Sequence, residues 1–188
     1  MLSRTRMCRH VLATALVGAG LLATAGPAAA QSGGTSAPGT GETSTAPAGP
    51  PGKATLLPSG KAIPPSNAPG FVRKAIKAGN SIRKKPYVYG GGHASFESRG
   101  YDCSGAVSYV LRGAGLIKSP MPSGPMMRWG EPGKGRWITV FAHGGHAYMV
   151  VAGLRFDTSS MGSGGKGPRW RATKRSPRGF AVRHAPST

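Results

Sequence analysis

The chain has 188 residues, 25 Lys+Arg against 5 Asp+Glu, 31 Gly, 17 Pro and 2 Cys. That length allows one domain plus tails. Two cysteines rule out a disulfide-rich scaffold, and with no apolar run of 18 residues a multi-span membrane protein is excluded. A formal charge of +20 calls for an anionic partner: nucleic acid, an anionic surface or an anionic polymer.

Residues 1–30 have the makeup of a secretory signal peptide. Arg4, Arg6 and Arg9 form a basic start, Val11 to Ala25 an apolar stretch, and Ala28-Ala29-Ala30 a small-residue cleavage site before Gln31. Three arginines leave with this segment and no acid does, so the mature chain keeps a formal charge of +17. Cys103 is then the one remaining cysteine. A lone thiol in an exported chain is either a buried small hydrophobe or a nucleophile.

The next stretch, 31–66, is rich in Gly, Pro, Ser and Thr and poor in apolar side chains. Such a composition cannot bury enough surface to offset its ordering entropy, so a disordered tether is expected. Residues 67–188 remain as the folded domain. Within it Phe71, Val72, Ala75, Ile76, Gly79 and Ile82 recur at helical spacing, with Asn67 and Pro69 as start signals and Pro86 as a stop. A Gly90-Gly91-Gly92 turn follows.

The second helical pattern is the sharper one. Cys103, Ala106, Val107, Val110 and Leu111 share one face, Asp102 precedes as a favoured N-cap, and Gly113 and Gly115 mark the end. Cys103 is thereby expected in the first turn. After a Pro/Met/Gly-rich connection over 119–136, the runs 137–141, 147–152, 154–157 and 180–183 read as strands, with Gly144-Gly145 and Gly153 as turns. Residues 158–178 read as a basic loop around Trp170. Helices followed by a small antiparallel sheet make an α+β fold.

A cysteine nucleophile needs a stabilised thiolate, a base and donors for the oxyanion. The unpaired amides of a helix N-terminus favour the anion. The mature chain offers His93, His143, His146 and His184 as bases. His146 is the best placed, because it opens a strand; His143 is its competitor in the turn. Asp157 is the one carboxylate on the next strand and can orient the base. His93 and His184 read as surface residues. Cys103, His93, His143 and His146 could also supply metal ligands, but no paired-ligand zinc spacing is present, so no metal is expected.

Tyr87-Val88-Tyr89-Gly90-Gly91 followed by Asp102-Cys103-Ser104-Gly105 resembles the signature of NlpC/P60 cell-wall cysteine peptidases, over about residues 70–158. The resemblance implies a papain-like core, with N-terminal helices packed on the sheet and no cofactor. Cys103 matches the nucleophile, His146 the general base and Asp157 the polar third member. Tyr87 matches the tyrosine whose hydroxyl approaches the nucleophile. The implied activity is hydrolysis of amide bonds in peptidoglycan stem peptides, often between D-glutamyl and a diamino acid. Two departures stand out: Gly133-Lys134-Gly135-Arg136 occupies the place of the family's usual Pro-Gly-Asp turn, and an Asp fills the third position.

The expected protein is thus a secreted or wall-associated monomer acting on peptidoglycan. Its basic residues, dense around Trp170, would face anionic wall polymer or membrane surface, and nucleic acid is not expected as a physiological partner. The alternatives are a noncatalytic basic wall-binding module and an acyl or amide transferase on the same fold.

Overall fold

A computed structural model describes residues 50–159 and 167–186, and among these described residues eight strands and three helices follow one another. The signal-peptide segment and the tether as far as residue 49 lie outside the described residues. Helix α1 spans Gly70–Ile82 and buries Val72, Ala75, Ile76, Gly79 and Ile82, leaving Arg73, Lys74 and Lys77 on its outer side. Pro69 sits at its N-cap position, where a missing N–H costs nothing. Helix α2 spans Cys103–Gly113 and packs on α1, with Gly113 set against Ala78.

The main sheet is antiparallel and six-stranded, in the order β3 (Glu131–Pro132), β8 (Ala181–His184), β4 (Ile138–His143), β5 (His146–Val151), β6 (Leu154–Asp157), β7 (Arg169–Arg171). Its centre is a meander of β4, β5 and β6. Each hairpin closes through two residues. Gly144-Gly145 joins the pair His143 and His146; Ala152-Gly153 joins Val151 and Leu154. Ala152 and Gly153 both have positive φ, 46° and 82°, the twist that a two-residue hairpin favours.

Strand alternation sorts the side chains into two sets. Ile138, Val140, Ala142, Ala147, Met149, Val151, Leu154 and Phe156 join Val72, Ile76, Val107, Val110 and Leu111 of the helices in one core. Thr139, Phe141, His143, His146, Tyr148, Val150, Arg155 and Asp157 alternate with them on the other face. The site and the core are therefore specified by the same three strands.

Four segments differ from expectation. The tether does not extend to residue 66: β1 (Thr55–Leu56) and β2 (Ala62–Ile63) pair with each other. The Ala54 N–H donates to the Ala152 carbonyl at 2.8 Å, and Ala62 is fully buried. The reason is Asn80 of α1, whose amide acts as a strand partner: its Oδ1 accepts from the Ala62 N–H at 2.9 Å and its Nδ2 donates to the Ala62 carbonyl at 2.8 Å. The loop expected over 158–178 contains β7 (Arg169–Arg171), paired with β6. Trp170 is buried against Gly79 and donates to the same Asn80 Oδ1 at 3.1 Å. The connection 119–136 holds a short helix α3 (Ser123–Met126) and β3 (Glu131–Pro132), the latter paired with β8 (Ala181–His184). The last strand begins one residue later than expected.

Candidate active site

Cys103 is the first residue of α2, and the structure of its neighbourhood begins with Asp102. The Asp102 carboxylate accepts from the Gly105 N–H at 2.8 Å, the side-chain cap that the sequence pattern anticipates. It also accepts from the Gly90 N–H at 3.2 Å, while the Asp102 N–H donates to the Gly91 carbonyl at 3.1 Å. One carboxylate thus fastens the glycine turn to the helix start. Gly90 and Gly92 have φ of 71° and 86°, and a Cβ at Gly105 would run into the Gly91 carbonyl. Close approach of backbone to backbone sets the position of the thiol.

His146 opens β5 and Asp157 closes β6, and on the twisted hairpin they meet: His146 Nε2 lies 3.0 Å from Asp157 Oδ1. With Nε2 engaged, Nδ1 is the ring nitrogen left for a thiol. Burial alone would lower the His146 pKa, but hydrogen bonds and charge from Asp157 and Cys103 outweigh it and raise the value to about 9. The imidazolium is thus the dominant form at neutral pH.

Asp157 is 2 % exposed and densely partnered. Besides His146 it accepts from the Ser159 N–H and hydroxyl, both at 2.9 Å, and from Arg175 Nη1 at 3.2 Å, with Arg155 Nε at 3.6 Å. Burial pushes its pKa up; the hydrogen bonds from His146 and Ser159 overcome this and hold the carboxyl well below the usual range. Arg175 Nη1 lies 3.4 Å from His146 Nε2, and its guanidinium covers the rings of Tyr148 and Phe180.

Tyr87 lines a cleft of about 320 Å³ together with Cys103, Ser104, Ser123 and the Gly144-Gly145 turn. Its hydroxyl pKa is raised by partial burial and then by the nearby Cys103 and Asp102 charges. The structure therefore places Cys103 and Tyr87 in one cleft and pairs His146 with Asp157, with Cys103 also acting on the His146 imidazole. His143 turns elsewhere: its Nδ1 accepts from the Gly145 N–H at 3.0 Å and its ring packs on Phe180.

His93, expected at the surface, is 34 % exposed but tied down. Its Nε2 stands 2.9 Å from Asp102 Oδ2 and 2.9 Å from Ser104 Oγ, inside the cleft. A glycine run without periodicity hides this; the one available signal was a capping carboxylate that needed more donors. His184 lies partly buried on β8, 3.8 Å from Glu131. The partners of Asp157 were also missed. Arg155 could have been read from its i, i+2 spacing to Asp157, whereas Arg175 lies in a loop with no pattern. Among the described residues no group of three or more His, Cys, Asp or Glu stands in an arrangement to hold a metal ion.

No family model matches the chain, and no curated protein matches it. Solved structures similar to it include the peptidoglycan hydrolase RipB from Mycobacterium tuberculosis, 26% identical over 65% of this chain and 68% of that one, with a TM-score of 0.47. An NlpC/P60 family protein from Bacillus cereus ATCC 10987 is 20% identical over 66% of this chain and 42% of its own, with a TM-score of 0.45. RipD from M. tuberculosis, a non-catalytic NlpC/p60 domain protein adapted to peptidoglycan binding, is 20% identical over 61% of this chain and 96% of its own, with a TM-score of 0.45.

Proposed function

We propose that the protein is an exported cysteine peptidase that hydrolyses amide bonds in peptidoglycan stem peptides. The observation that carries this is the His146–Asp157 contact of 3.0 Å, with the imidazole held charged by Asp157 on one side and Cys103 on the other. The signature residues around Tyr87 and Cys103 supply the substrate class, and the bond between D-glutamyl and a diamino acid is the expected target.

The Cys103 thiolate attacks the amide carbonyl carbon. The oxyanion is met by the Cys103 N–H, unpaired in the first turn of α2, and by the Tyr87 hydroxyl. The imidazolium of His146 gives its Nδ1 proton to the departing nitrogen, the C–N bond breaks, and a thioester remains. Neutral His146 then takes a proton from water, whose oxygen attacks the thioester. The C–S bond breaks, the acid product leaves, and the thiolate–imidazolium pair is restored. Asp157 keeps Nε2 protonated throughout and fixes the ring.

The test incubates the purified full chain, and its Cys103→Ala variant, with isolated peptidoglycan and reads released fragments by mass spectrometry. New amino termini from the wild type alone are expected, and they identify the bond. Equal release by both proteins removes the cysteine mechanism. No release by either, with both proteins bound to the wall, makes the chain a binding module; products joined to an added acceptor amine make it a transferase.

A further inference from the structure

The outer face of the sheet carries a second cavity that the chemistry at Cys103 does not use. It encloses about 340 Å³, within the range of small-molecule sites, about 300–1,000 Å³. Its floor is apolar: the Phe141 and Tyr148 rings stack at 4.6 Å and nearly parallel, beside Val150 and Pro177. Four cations stand around it, Lys134, Arg155, Lys174 and Arg175, and no carboxylate lines it. Asp157 lies behind Arg155 and Arg175, and its single charge is already shared with His146.

Two buried donors sharpen the picture. Tyr148, 1 % exposed, has a hydroxyl with no hydrogen-bond partner among the described residues; the Nε of Arg155, 3 % exposed, makes no hydrogen bond there either and has only the Asp157 carboxylate at 3.6 Å as an ion-pair partner. The Arg175 guanidinium stands over the Tyr148 ring, 5.4 Å from its centroid. Buried donors of this kind are normally satisfied. One acceptor group with several oxygens would satisfy both at once and offset the excess positive charge.

We propose that this cavity is a binding site for a small anionic amphiphile, its oxyanion head received by Arg155, Tyr148 and the lysines and its apolar body laid on the Phe141–Tyr148 stack. Charge and surface select together: an inorganic anion leaves the floor uncovered, and an uncharged apolar molecule leaves the cations and buried donors unmet. The cavity is distinct from the Cys103 cleft and adjoins the His146–Asp157 pair through Arg155 and Arg175.

The probe is n-octyl phosphate, titrated calorimetrically into the full chain below its micelle concentration, with inorganic phosphate and 1-octanol in parallel. Expected is saturable one-to-one binding of octyl phosphate, at least tenfold tighter than either comparison. Tyr148→Phe removes only an unbonded hydroxyl, and Lys134→Gln with Lys174→Gln changes only the rim; each is expected to weaken binding at least fivefold. Absence of saturable binding, equal binding of inorganic phosphate, or an affinity unchanged in either variant overturns the site.

Discussion

His146 determines how the proposed chemistry depends on pH, and the sign follows from its raised pKa. The departing amine needs a proton, so the imidazolium is the working form. With a pKa near 9, activity holds through neutral pH and falls as the imidazolium is lost above it. Replacing Asp157 by Asn removes the charge and hydrogen bond that sustain the raised value. The basic limb of kcat/KM is then expected to fall toward the ordinary histidine value of about 6.5, with a rate loss of roughly 30-fold at pH 8 from the lost imidazolium. A pH–rate profile on a soluble stem peptide decides it; an unmoved basic limb in the variant would remove Asp157 as the positioning residue. Stability carries the same signature. A raised folded-state pKa contributes stability in full below about 6.5 that is lost as pH rises through about 9. Urea midpoints should therefore fall between pH 6.5 and 9 in the wild type and stay flatter in Asp157→Asn.

Between elements, the contact that matters most joins the start of α2 to the glycine turn. A methyl group on Gly105 meets backbone on the turn rather than a side chain able to yield, so Gly105→Ala must separate the two segments. Overpacking of this kind costs about 1–3 kcal/mol. Gly124→Ala, where nothing lies within 4 Å, is the control and should be nearly neutral. Asp102→Ala removes the cap of α2 together with the partner of Gly90 and His93, for about 1–2 kcal/mol. Chemical denaturation measures all three, and a Gly105→Ala protein as stable as the control would show the approach to be unimportant. The same distinction between local and distant partners explains what was legible. Both long helices and the β4–β5–β6 meander show in the sequence because periodicity and two-residue turns are local signals. That is why Cys103 could be placed at a helix start and His146 and Asp157 at strand ends. Strands β1, β2 and β7 are a few residues long, and Asn80, far away in sequence, bonds Ala62 of β2 and Trp170 of β7. Nothing within either segment announces that partner, and the cleft position of His93 is hidden because it follows a glycine run without periodicity.

At the scale of the molecule the dominant quantity is charge. The described acids are few, and three of the four are engaged: Asp102 with His93, Asp157 with His146 and two arginines, Glu131 beside His184. Over the whole chain 5 Asp and Glu do little to offset 25 Lys and Arg. A surface with this imbalance attracts any polyanion and releases its counterions on contact, so affinity falls steeply with salt. If about five anionic groups are engaged at once, a tenfold rise in salt lowers affinity by roughly 10³–10⁵, by analogy with nucleic-acid binding. The active protein would digest its own matrix, so the measurement uses the full-length Cys103→Ala variant on walls that retain their anionic polymer and on walls stripped of it. Retention at 0.05 M salt (about a 14 Å screening length) and release near 0.5 M are expected from the intact wall, with weaker retention on the stripped one. Binding that survives molar salt, or that is equal on both walls, would mean that the chain holds peptidoglycan by specific contacts in the cleft, and that the +20 charge serves something other than wall attachment.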